Sequence, residues 1–183
     1  LGYEGNVTEN FPPENKVGGF ENNVSAHVAS PLLVRNFMEA SEVVSKQAVE
    51  DHFNDLLPCD PMSAGELACG KRFVRSFLRR AFRRPPTDSE VTNFVDLFET
   101  GLNDYDFVTG IEMVIQGALQ SPQFLYRLRF VEGASNGQTV RLDNYEIASR
   151  LSYFLWASMP DEKLLNAAAD GKLQTAEQIE EHA

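Results

Sequence analysis

Apolar side chains recur at steps of three and four residues along most of this chain, which predicts an all-α fold. The first such run covers residues 31–52 and follows Ser30 and a proline, a pair typical of a helix N-cap and first helical position. A second helix is expected from Ser63, with Glu66 completing its capping box, to about Arg83, where two prolines stop it.

The same pattern continues towards the C-terminus. Thr87 and Glu90 form another capping box and begin a third helix, which is expected to end near Gly101. A fourth helix is expected from Asp106 to Ser121, followed by a short helical turn. Three more helices are expected to begin at Asp143, at Asp161 with Gly171 as its C-terminal cap, and at Thr175.

Two other patterns complete the predicted fold. Residues 1–29 are polar, rich in Pro, Gly and Asn, and predict an irregular lead-in. Residues 129–142 contain two short extended runs about an Asn-Gly pair, which predicts at most one small β-hairpin. The sequence thus predicts about seven helices in three parts: a lead-in with the first helix (1–57), an arginine-rich helical domain (58–130) and the start of a third helical domain (131–183).

Composition narrows the functional classes. The chain has 183 residues, of which 43% are apolar, and a formal net charge of −11. This acidity argues against non-specific nucleic-acid binding, which needs a broad basic surface. No run of 18 apolar residues predicts a membrane span, and no signal-peptide pattern stands at the N-terminus.

Two cysteines, Cys59 and Cys69, flank the segment DPMSAGELA. They do not form a zinc pattern, which normally has four Cys or His ligands, and the three histidines are scattered. We predict a disulfide that joins the loop before the second helix to that helix, with two free thiols as the alternative. A disulfide implies an oxidising compartment.

Positive charge is concentrated between residues 69 and 90, where six arginines accompany an apolar stripe. Arg72, Arg75, Arg79 and Arg83 share one side of the predicted helix. They are expected to pair with acidic helices of the same chain, or to dock an acidic partner or the propionates of a cofactor; membrane or nucleic-acid binding is a further alternative. Two more arginines, at 80 and 84, are expected to bond carbonyls at the helix end.

Candidate chemistry elsewhere is sparse. The carboxylates of Asp143, Glu146, Asp161 and Glu162 could serve as an acid/base pair, but helix capping explains them, and no catalytic or metal-binding residue is predicted. The aromatic residues near Trp156 could stack on a sugar, but their apolar helix predicts a core position.

Three stretches of the chain resemble a known bacterial family. They are residues 18–44, 69–91 and 142–173, which begin with GGFENNVSAH, CGKRFVRSFL and LDNYEIASRL, and residues 118–128 fit the same pattern. In this order they are similar to the consecutive uncharacterised domains of the large secreted planctomycete-type cytochrome-associated proteins. The chain is accordingly expected to be part of a longer protein.

The resemblance implies a function that the residues alone do not. In that family the helical domains precede a segment with a C-x-x-C-H haem-attachment motif, and the proteins are exported. It implies a scaffold or interaction region without catalysis of its own, haem c in a downstream segment, a redox protein as partner and a periplasmic or extracellular location. Neither cysteine here begins a C-x-x-C-H motif, so covalent haem is not expected in this stretch. The alternatives are part of a polymer-active enzyme, or a carbohydrate-binding module that uses Tyr153 or Trp156.

Overall fold

A computed structural model describes residues 1–9, 11–13, 30–126 and 141–182. These residues form nine α-helices and no strand. The all-α prediction is therefore confirmed, and the predicted hairpin lies almost wholly outside the described residues. The helices are α1 (Pro31–Leu56), α2 (Pro61–Ala64), α3 (Glu66–Ala81), α4 (Asp88–Asp104), α5 (Phe107–Gln120), α6 (Pro122–Leu125), α7 (Asn144–Trp156), α8 (Glu162–Ala169) and α9 (Ala176–Glu181).

Side-chain caps begin most of these helices where the sequence predicts them. The Ser30 hydroxyl accepts a hydrogen bond from the Leu33 amide at α1. Full capping boxes form at Thr87 for α4, Asp143 for α7 and Thr175 for α9. Each cap satisfies backbone amides that have no partner inside the helix, which fixes the first turn.

The predicted start at Ser63 is wrong. The Asp60 carboxylate caps a short helix, α2, by accepting a hydrogen bond of 3.0 Å from the Met62 amide, and Ser63 lies inside that helix. Gly65 then adopts φ +83°, a left-handed value that ends α2 before α3 begins at Glu66. The long predicted helix is therefore two helices separated by a glycine.

Helix α5 lies at the centre of the larger core. It packs against α1, α3, α4 and α6. Ile111, Val114, Ile115 and Ala118 of α5 are completely buried. The same core includes Val49 from α1 together with side chains from α3 and α4. One core thus joins α1 to the arginine-rich helix, while the division of the chain into three domains stays a prediction.

Two glycines allow α4 and α5 to pack closely. Helix α4 does not end near Gly101, as predicted, but continues to Asp104. A Cβ atom at Gly101 would lie 2.6 Å from the Cα atom of Gly110 on α5. Gly101 therefore serves the close approach of two helices and not helix termination.

A second, smaller core forms between α7, α8 and α9. Its buried members are Ala148, Leu164, Ala168 and Leu173. Gly171 ends α8 at φ +72°, and the Lys172 amide donates to the Ala167 carbonyl at 2.9 Å. This pattern is a Schellman motif, and it confirms the predicted cap.

The predicted disulfide between Cys59 and Cys69 is present, with the two Cα atoms 5.8 Å apart. It joins the loop before α2 to the first turn of α3, where Cys69 is completely buried. Among the described helices, none has the length and apolarity needed to cross a membrane.

Candidate functional site

Helix α3 separates apolar from basic side chains. Phe73, Val74 and Leu78 are buried in the larger core, as their spacing predicts. Arg72 and Arg75 are exposed on the opposite side. We call the side chains of Arg72, Arg75, Arg79 and Arg80 the arginine face.

Arg79 is engaged with helix α8. Its Nη1 atom donates to Oε2 of Glu162 at 2.7 Å, and its Nη2 atom donates to Oδ1 of Asn166 at 2.7 Å. Arg80 lies beside it, with Nε 3.7 Å from Oε1 of the same glutamate. The expectation that these arginines pair with an acidic helix of the same chain is therefore met at this end of the face.

Arg83 does not belong to the arginine face. The helix has ended before it, its φ is +58°, and its residue is only 5% exposed. The guanidinium points inwards and donates to three carbonyls at the end of α6, those of Gln123 at 2.7 Å, Phe124 at 3.3 Å and Tyr126 at 3.2 Å. Its predicted place in a docking stripe assumed that the helix continued through it.

Arg84 pairs with the start of α4. Its two terminal nitrogens donate to the two carboxylate oxygens of Glu90, at 2.9 and 2.7 Å, and Nη1 also donates to the Pro85 carbonyl. Hydrogen bonding from Arg84 is the largest influence on the pKa of Glu90 and lowers it. The same hydrogen bond raises the pKa of Arg84. This pair fixes the turn between α3 and α4.

The arginines thus divide by position. Arg83 and Arg84 hold the end of α3 against α6 and α4, Arg79 and Arg80 contact α8, and Arg72 and Arg75 lie at the surface. Exposed guanidinium groups three residues apart on a helix can bind carboxylates or phosphates with two donors each.

The aromatic end of α7 differs from its prediction. Trp156 is 74% exposed and Phe154 is 87% exposed, although their apolar helix predicts a core position. The prediction is wrong because α7 buries only a narrow stripe that includes Ala148 and Ser152, so the last turn extends beyond the small core. No local pattern in the sequence distinguishes such a turn from a buried one.

The candidate acid/base carboxylates serve as helix caps. Oδ1 of Asp143 accepts from the Glu146 amide at 2.7 Å, and Glu146 accepts from the Asp143 amide at 3.0 Å. Asp161 caps α8 by accepting from the Leu164 amide at 2.8 Å, while Glu162 binds Arg79. Within the described part of the chain, no group of three or more His, Cys, Asp or Glu residues is arranged to hold a metal ion.

Three protein-family models together match most of the chain. Residues 1–50 match PSD3, a protein of unknown function (DUF1587); residues 69–128 match PSD5 (DUF1595); and residues 142–183 match PSD4 (DUF1592). No curated protein and no solved structure matches the chain. The chain therefore consists largely of three consecutive matches to domains of unknown function, in the order PSD3, PSD5 and PSD4.

Proposed function

We propose that this chain is a helical scaffold and interaction region of an exported, multidomain c-type cytochrome-like protein. In this role it would position a haem segment of the parent protein and dock a redox partner, and the haem would supply the electron-transfer chemistry. The observation that carries the proposal is the succession of three family domains along a single chain. The disulfide supports an exported location, since such bonds persist in oxidising compartments.

The arginine face is the docking surface in this proposal. Arg72 and Arg75 are exposed on a chain whose net charge is −11, so they form a local positive site on an acidic molecule. Complementary charge accelerates association and orients the two partners before close contact. An acidic redox protein, or an acidic domain of the same parent chain, fits this surface.

The test is an absorption spectrum of the full-length parent protein, purified from its native host and recorded oxidised and reduced. The proposal predicts a Soret band and sharp α and β bands in the reduced state. A featureless visible spectrum would remove the electron-transfer role and leave a helical scaffold without a redox function.

A carbohydrate-binding role is the second candidate, and the exposure of Trp156 and Phe154 favours it. An exposed indole can stack on a sugar ring, whereas a core indole cannot. In this role the aromatic end of α7 would hold the parent protein on a polysaccharide.

Sedimentation with insoluble polysaccharides tests the second candidate. Trp156→Ala should abolish retention, while Tyr105→Ala serves as the matched control, because Tyr105 is 73% exposed on a different part of the molecule. Equal retention of the two variants, or no retention of the unaltered chain, would remove this candidate.

A further inference from the structure

The shortest polar contacts between α3 and α8 join one guanidinium to two oxygens, and Nε of Arg80 lies 3.7 Å from Oε1 of Glu162. Glu162 and Asn166 stand one turn apart on α8, and both accept hydrogen bonds of 2.7 Å from Arg79. The planar guanidinium satisfies both oxygens at once, as it does when it binds a single carboxylate. Helix α8 therefore occupies Arg79 in the way an acidic partner would.

This contact lies between two separate cores. On one side, α3 contributes Phe73 and Leu78 to the larger core; on the other, α8 contributes Leu164 and Ala168 to the smaller core. The two clusters have no residue in common. Arg79 therefore links two apolar clusters, while Leu165 and Ala167 of α8 are also buried and belong to neither cluster.

The ion pair is weak enough to be exchanged. The side chain of Arg79 is 25% exposed and that of Glu162 is 53% exposed, so water and salt reach both charges. Ion pairs of this kind shift an equilibrium by only about fivefold or less. A second carboxylate at comparable local concentration can therefore compete with Glu162.

The arginine face continues past the contact. Arg72 and Arg75 follow the same side of α3 as Arg79, and they have no ion pair with any residue in the described ranges. A partner that spans the three arginines gains contacts that α8 does not make. Such a partner has more anionic groups to offer than Glu162 alone.

We propose that Arg79 couples docking to domain orientation: an acidic helix or segment that binds Arg72, Arg75 and Arg79 displaces Glu162 and releases the α7–α9 unit from α3. This inference rests on the docking role proposed above and adds its regulation. Helix α8 acts as an internal competitor, so the closed arrangement lowers the affinity for the partner. Binding and opening are then reciprocal.

Energy transfer between two dyes tests the coupling, with poly-L-glutamate as the acidic probe at low ionic strength. The dyes are attached to non-natural residues at the exposed positions Asn93 on α4 and Glu180 on α9, which leaves the disulfide intact. We expect the probe to change the transfer efficiency of the unaltered chain. Without probe, Glu162→Gln should shift the transfer efficiency part of the way towards the value that the probe produces, and it should bind the probe up to about fivefold more tightly.

The matched control is Glu99→Gln. This variant removes the ion pair of 2.8 Å between Glu99 on α4 and Lys71, which lies on α3 like Arg79. It should leave both the transfer efficiency and the probe affinity unchanged. The double variant Arg79→Glu with Glu162→Arg restores an ion pair of opposite orientation, so it should recover the transfer efficiency of the unaltered chain without probe. Neither Arg79→Glu nor Glu162→Arg alone should recover it. Failure of the exchange to recover it would overturn the role of this ion pair.

The outcomes separate the two proposals. Probe binding without a change in transfer efficiency would overturn the coupling and leave the docking surface intact. Absence of probe binding to both the unaltered chain and Glu162→Gln would overturn the docking surface and the coupling together. Binding to Glu162→Gln alone would support the coupling, because it shows that α8 blocks the face.

Discussion

At the scale of single residues, Arg83 shows how a periodic pattern misleads. Its position continues the spacing of Arg72, Arg75 and Arg79, and a helical continuation would place it on the surface. The chain instead turns at a left-handed residue, and the side chain enters the interior to bond the carbonyls that end α6. Periodicity predicts a face only while the helix lasts.

Replacing Arg83 should lower the free energy of unfolding. Arg83→Met leaves the carbonyls of Gln123, Phe124 and Tyr126 without their charged donor, and we expect a loss of about 3 kcal/mol in the free energy of unfolding. Urea denaturation followed by circular dichroism measures it. Arg83→Gly should lose about 1 kcal/mol less than Arg83→Ala, because glycine accepts the left-handed backbone. A loss below about 1 kcal/mol for Arg83→Met would contradict this role.

Gly70 is a second residue whose role is steric. A Cβ atom at this position would overlap the ring of Phe98, which is completely buried. Gly70→Ala should therefore destabilise the chain by about 1–3 kcal/mol in thermal or urea unfolding. Gly117→Ala is the control, since its Cβ would lie 3.0 Å from the movable end of Leu97 and in ordinary contact with Phe94 at 3.4 Å, and helix propensity favours alanine. Equal stability of the two variants would show that α3 and α4 can separate slightly without cost.

At the scale of elements, most helix starts were predictable, with the exception of Ser63, and helix ends such as that of α4 were less so. The caps at Ser30, Thr87 and Asp143 depend on residues within one turn, so a single sequence contains the whole signal. The end of α4 does not, because Gly101 is explained only by its contact with Gly110 on another helix. Information about contacts between helices is absent from local spacing.

The turn between α3 and α4 should respond to acid through Glu90. Its pKa is lowered in the folded chain, chiefly by hydrogen bonding from Arg84, so its stabilisation is present above the ordinary carboxyl pKa of about 4.3. It is lost as the pH falls through the lowered value. Urea unfolding between pH 7 and pH 3 should therefore show a smaller acid-induced loss for Glu90→Gln than for the unaltered chain.

Glu112 is the matched control, because its pKa is raised in the folded chain whereas that of Glu90 is lowered. Burial is the main influence on its pKa and raises it; Glu50, Glu42 and Asp106 add to the rise and Lys46 opposes it. Its contribution to stability is present at low pH and lost as the pH rises through the raised value. Glu112→Gln should thus be more stable than the unaltered chain at pH 7 and not at pH 3. The same pH response in both variants would contradict the assignment of either group.

At the scale of the whole molecule, the fold class followed from the sequence and the arrangement of its parts did not. Apolar spacing predicted an all-α chain, and the two cysteines were recognised as a disulfide by their place beside a helix start. The two cores, the Arg79 contact with α8 and the exposure of Trp156 depend on how distant elements pack. Charge pattern identified the arginine face but not which arginines it contains.

The disulfide should contribute measurably to the stability of the larger core. It closes a short loop between residues separated by 10 positions, and the chain-entropy model gives a stabilisation of about 2–3 kcal/mol. Urea unfolding with and without a thiol reductant measures this difference. Cys59→Ser with Cys69→Ser should resemble the reduced chain and be insensitive to the reductant; sensitivity of that double variant would show that another process is being measured.

Helix α3 divides its arginines between contacts that hold the fold and an exposed face that we propose binds a partner. The most direct test is the free energy of unfolding of the double variant Arg72→Glu, Arg75→Glu, measured by urea denaturation of the whole chain. We predict a value within about 0.5 kcal/mol of the unaltered chain, because both side chains lie at the surface. A loss of about 2 kcal/mol or more would mean that these two arginines hold the fold together, and it would remove the docking surface.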